Sequence, residues 1–236
     1  MSDDDTDDNW TSNITLTPQG ATDDDCVMYD GPDRNISATG DIILVVGSAD
    51  SEDFQPLRLR VQSAILREAS SVFKAMLSPP WIESQEISAE SPKEVHLPDD
   101  DPMAMEIICE GLHFMNTFTD RIMFPASNLL DAAILIDKYD LVRPMKRDTD
   151  VWLESSIQHY RYPPNDLLYA LAAAWVLKAE DSFSRLSWTL MVTYQGSYAH
   201  FLSDDALQDI LPSQIVGKHT SIWMVNHPDS GMTHEC

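Results

Sequence analysis

Between Leu57 and Leu77 the sequence LRLRVQSAILREASSVFKAML changes its apolar period from two to about 3.6, with neither Gly nor Pro at the change. Leu57, Leu59 and Val61 alternate with Arg58 and Arg60, which specifies a strand with one buried face and one wet face. From Ile65 onward, Ile65, Ala69, Val72, Phe73 and Met76 form an apolar stripe at helical spacing. Ser63 is placed to cap the first turn and Ser70 to restart a second helix. A strand feeding directly into a helical hairpin admits few folds, and serines at helix starts are read as caps rather than nucleophiles.

The flanking segments extend this pattern. GDIILVVG is a short apolar strand, Ile42–Val46, bounded by Gly40 and Gly47, and it pairs with 57–61 as a hairpin. EVHLP adds a brief strand with Val95 and Leu97 on one side. In DDDPMAMEIICEGLHFM, Asp101 stands at the N-cap and Pro102 at the first helical position, with Met105, Ile108, Cys109 and Leu112 as the buried stripe. SNLLDAAILIDKYDL is a further helix with Leu130, Ala133, Ile134 and Leu141 inward. Helices follow at 147–158, 165–178 and 180–194, and a last one near 204–211 stops before Pro212. Leu168, Leu171, Ala172 and Trp175 are expected to pack on Phe183, Leu186, Leu190 and Met191. The fold class is α+β, a small sheet flanked by a helical cluster and followed by an all-helical C-terminal extension.

Charge narrows the function classes. The 236 residues carry a formal charge of −24, which repels phosphate backbones, so no direct nucleic-acid partner is expected. Residues 1–39 read as a disordered acidic tail, since Asp3, Asp4, Asp5, Asp7, Asp8, Asp23, Asp24 and Asp25 crowd a stretch with no Lys or Arg before Arg34. The DDD runs lack the Gly-containing loop and closing Glu of a calcium site. Three scattered cysteines, Cys26, Cys109 and Cys236, suit a reducing compartment, with Cys109 a small core residue. No apolar run is long enough to span a membrane and no signal-peptide pattern opens the chain, so the expected location is intracellular, in nucleus or cytoplasm. The glycosylation patterns at Asn13 and Asn35 are accordingly read as chance.

Signatures of chemistry are missing. LVVGSAD ends a strand in Gly, but Ser48 to Pro56 contain no second Gly, so the dinucleotide fingerprint is incomplete. His96, His113, His159, His200, His219, His227 and His234 are dispersed, without metal-ligand spacing. There is no nucleophile elbow. No catalytic residue, no cofactor and no metal site is expected, and the chain is read as a non-enzyme.

The order GDIILVV, LRVQSAILREASSVFKAML, WIESQE, EVHLPDDDPMAMEIICEGLHFM and LLDAAILIDKYDL resembles the BTB/POZ domain family, most of all its filamentous-fungal members. The resemblance covers about residues 38–145 and implies a short sheet flanked by helices in a protein-binding module. It divides the chain into a tail at 1–39, a BTB/POZ domain at 40–145, a helical extension at 146–225 and a flexible end at 226–236. Family members bind themselves, cullin scaffolds or transcription factors and have no catalytic site. The sequence departs from the family pattern at Gln62 and Ser63, where many members have His-Lys. The helix and strand that some members use to dimerise are replaced by the acidic tail, so only weak self-association is expected. The helices after residue 145 resemble the extension of cullin adaptors.

The resemblance also implies a partner surface. In cullin-binding members a hydrophobic residue, any residue and a Glu follow the second helix of the hairpin, and Trp81, Ile82 and Glu83 match that pattern. Trp81 is a large anchor of low entropy cost, and Pro79 and Pro80 stiffen its approach. With Leu112, Phe114 and Phe118 nearby, these are the expected partner-binding residues. The implied function is a protein–protein interaction adaptor, including substrate adaptor of a cullin-type ubiquitin ligase with its client protein. The alternative is a BTB scaffold or transcriptional co-regulator without a cullin.

Overall fold

The computed structural model describes residues 34–48, 56–78, 88–115, 126–158, 164–193, 207 and 210–212. Residues 1–33 of the acidic tail expected at 1–39, the flexible end expected at 226–236 and most of the helix expected at 204–211 lie outside them. The described elements are strands β1 (Arg34–Asn35), β2 (Ile42–Val46), β3 (Leu57–Val61) and β4 (Lys93–Leu97), and helices α1 (Ser63–Ala69), α2 (Ser71–Met76), α3 (Pro102–Leu112), α4 (Ala126–Lys138), α5 (Lys146–Gln158), α6 (Pro164–Val176) and α7 (Glu180–Thr193).

The sheet has the order β1-β3-β2-β4. β2 and β3 form the antiparallel pair expected from the sequence, with Ile42 opposite Val61 and Val46 opposite Leu57. β4 then joins β2 in parallel, a pairing that requires the intervening α1 and α2 to cross over. Central β2 is apolar at every position because it is enclosed more fully than its neighbours, and Ile42, Ile43, Leu44 and Val46 are all buried. The last residues of the tail expected at 1–39 belong to the sheet instead: Arg34 and Asn35 pair in parallel with Leu59 and Arg60, and Ile36 is buried. Two paired residues are too few to leave a period in the sequence. Gly40 lets this turn press against the sheet, since a Cβ there would lie 2.8 Å from the Val61 carbonyl oxygen.

The helical stripe after the switch is broken by a corner. Ser70 is extended, accepts the Phe73 amide hydrogen at 2.9 Å, and donates its hydroxyl to the Tyr139 carbonyl at 2.6 Å. The single helical phase read from Ile65 to Met76 therefore resets. Leu66, Phe73 and Leu77 are fully buried, whereas Ile65, Ala69, Val72 and Met76 are only partly covered. Ser63 does not cap α1; Gln62 holds the N-cap position and its side chain makes no capping bond. α3 begins as expected, with Asp101 Oδ1 accepting the Ala104 amide hydrogen at 2.7 Å. Met105, Ile108, Cys109 and Leu112 are buried, and burial pushes the Cys109 thiol up to about 12.

α4 packs along α6, and Ala170, Ala172, Ala173 and Ala174 of α6 and Ala132 and Ala133 of α4 are all fully buried. Ile134 was expected inward, yet it is 39% exposed, since α4 buries Leu129, Leu130, Ala132, Ala133, Leu135 and Ile136 instead. The apolar core is continuous across residue 146, with Leu168 and Leu171 in the same cluster as Leu44 and Phe73. α3, α4 and α6 end in the same way. Phe114, Asp140 and Lys178 take left-handed backbone angles (φ 59°, 53° and 57°). In each case the next amide hydrogen reaches back five residues, Met115 to Glu110, Leu141 to Ile136 and Ala179 to Ala174. These are Schellman caps built without glycine.

Candidate partner-binding groove

Two distant side chains make the strand-to-helix switch possible. Asp41 accepts the Ser63 amide hydrogen at 2.6 Å through Oδ1 and the Ser63 hydroxyl at 2.7 Å through Oδ2. His113 Nε2 accepts the Gln62 amide hydrogen at 3.1 Å, and its Nδ1 donates to the Cys109 carbonyl at 2.8 Å. The first orphan amides of α1 are thus met from β2's approach and from the end of α3. His113 works here as a neutral ring, and burial lowers its pKa, against the opposing pull of the Cys109 carbonyl.

Phe114 follows directly and carries two costs together. A bulky residue in the left-handed region is strained. Its side chain is also 87% exposed. It stands at a groove of about 570 Å³ formed with Ile65 and Ala69 of α1, Leu112 of α3 and Pro144 before α5. Glu68, Arg147 and Asp148 supply the charge along this groove. The helix end sits close to the α5 side, since a Cβ at Gly111 would lie 2.8 Å from Met145 Cε.

Of the expected partner residues, the structure brings Leu112 and Phe114 together in this groove. Leu112 is 7% exposed and forms floor, while Phe114 projects. Trp81, Ile82, Glu83 and Phe118 lie outside the described residues. Ile65 and Ala69 of the apolar stripe are partly buried, packing against the core while also lining the groove. Pro144 and Arg147 left no sequence signal, because the fold alone brings them near α1.

Among the described residues no group of His, Cys, Asp or Glu side chains is gathered for a metal ion, and no helix is long and apolar enough to cross a membrane. No protein-family model and no curated protein matches the chain.

Proposed function

We propose that the chain is a non-enzymatic protein–protein interaction module of the BTB/POZ type, acting as an adaptor that meets its scaffold through the Phe114 groove. The observation that carries this reading is Phe114 itself. Its ring is 87% exposed, and a partner that covers it would recover that apolar surface, because aromatic side chains supply the buried anchors of interfaces. The order of sheet and helical elements supports the family reading, and a cullin scaffold is the partner that the resemblance favours.

The test is capture from native lysate with Phe114→Gly. Glycine suits the left-handed angle, so this variant keeps or gains stability. The expected outcome is recovery of cullin and ring-finger subunits by the parent and their loss with the variant. Recovery of chromatin factors instead would favour the transcriptional co-regulator. Equal capture by both proteins would remove Phe114 from the interface.

A further inference from the structure

A second groove, of about 560 Å³, lies at the corner between α6 and α7 and shares no lining residue with the Phe114 groove. Its apolar walls are Trp175, Val176, Phe183 and Ile210. Trp175 was expected to pack on Phe183, and the rings do meet at 5.7 Å, yet Trp175 remains 42% exposed. The corner's backbone is already committed: Lys178 N–H bonds the Trp175 carbonyl at 3.1 Å and Ala179 N–H the Ala174 carbonyl at 2.9 Å. Among the described residues no sheet edge lines it, so they offer an extended peptide no ladder to join. Recognition here must come from apolar anchors and charge.

The charge is mostly of one sign. Asp137, Glu180 and Lys178 line the groove and exposed Asp181 follows, so three acidic groups stand against one basic group, Lys178, which reaches Asp137 at 3.7 Å. Around this lies a chain of 39 acidic and 15 basic residues, which repels an acidic segment or a second copy of itself. We infer that the α6–α7 corner groove docks one amphipathic, basic helix of a partner protein. Apolar residues one turn apart on that helix enter beside Trp175 and Phe183, and its Lys or Arg residues meet Asp137 and Glu180.

The inference is independent of the Phe114 groove, and the experiment keeps the two apart. Three labelled synthetic peptides of about four turns are titrated against the full-length protein. One is a Leu/Lys amphipath, one its Leu/Glu counterpart, and one a Leu/Lys peptide with the apolar face scrambled. The Leu/Lys amphipath should bind at least roughly tenfold more tightly than either control and weaken with salt. Trp175→Ala should abolish this preference, Glu180→Lys at the exposed rim should weaken it severalfold, and Phe114→Gly should leave it unchanged. Should Trp175→Ala misfold, Glu180→Lys decides. Equal binding of the scrambled peptide would show attraction by charge alone and overturn the inference. So would absence of binding, binding insensitive to both corner variants, or concentration-dependent self-association that Trp175→Ala abolishes.

Discussion

Phe73 and Tyr139 stack, their ring centroids 4.4 Å apart and their planes within 4° of parallel. The pair joins α2 to the end of α4, and neither ring stands alone. The Tyr139 hydroxyl donates to buried Asp100, which also accepts from Lys138 Nζ at 2.6 Å. One aromatic contact thereby links the helical hairpin, the turn after β4 and the helix that packs on α6. Phe73→Ala should cost about 3–5 kcal/mol by opening a cavity, and Tyr139→Phe about 1–3 kcal/mol by taking a donor from a buried carboxyl group. Denaturant unfolding of the two variants measures both. An unchanged midpoint for Phe73→Ala would remove it from the core.

His113 makes stability depend on pH in a stated direction. Its folded pKa lies below the ordinary 6.5. Above that value folded and unfolded chains both hold a neutral ring, and the contribution is complete. As pH falls below it, the unfolded chain binds the proton first, so stability declines through the window down to the folded value. His113→Ala should lower stability at pH 7.5 by about 1 kcal/mol, since Gln62 N–H loses its acceptor. The gap between parent and variant should shrink at pH 5. A gap that widened on acidification would contradict a neutral His113.

The three left-handed caps should answer differently to glycine. At Lys178 the side chain gives only a long contact to Asp137, so Lys178→Gly should stabilise by up to about 1 kcal/mol. Asp140 accepts the Ser71 hydroxyl at 2.6 Å, so relief of its backbone is offset and Asp140→Gly should gain nothing or lose stability. Thermal midpoints of the pair test whether backbone or side chain dominates at each position.

Asp131 on α4 is a carboxyl group pushed up to about 6, first by burial and then by neighbouring Asp101. Between its ordinary 3.8 and about 6 the folded protein holds a proton that the unfolded chain has released. Stability attributable to Asp131 is therefore present below 3.8 and is lost as pH rises through about 6. Asp131→Asn should raise stability at pH 7, by less than the full pKa shift implies because solvent screens the half-exposed carboxyl, and flatten that part of the profile. Chemical unfolding at pH 4, 5.5 and 7 provides the check.

Much of the fold was legible wherever a local period carried it. The bounds of β2 follow from an apolar run closed by glycines, those of β3 from alternation ended by the change of period, and Asp101 and Pro102 mark the start of α3. Legibility failed where the partner is distant. Asp41 and His113 cap α1 from outside any window around Ser63, so the nearest serine was credited with their role. Helix ends without glycine at Phe114, Asp140 and Lys178 gave no stop signal. Ile134 followed the apolar stripe in sequence but is 39% exposed, since α4 buries its other apolar residues instead. Of the six expected partner residues, two, Leu112 and Phe114, line one groove, and the other four lie outside the described residues.

The bond from Gln62 to His113 spans 51 residues, and it has a consequence for a chain made from one end. On the ribosome, β2 and β3 can pair as soon as they emerge. The first turn of α1, however, waits for a residue synthesised several seconds later at ordinary elongation rates of about 5–20 residues per second. During that interval the nascent hairpin keeps an unlatched edge and an unfinished helix, and only the arrival of α3 closes the latch. Synonymous codon changes that slow translation between Leu77 and His113 would lengthen the exposed interval and raise the demand for chaperones, without altering a single residue of the finished protein.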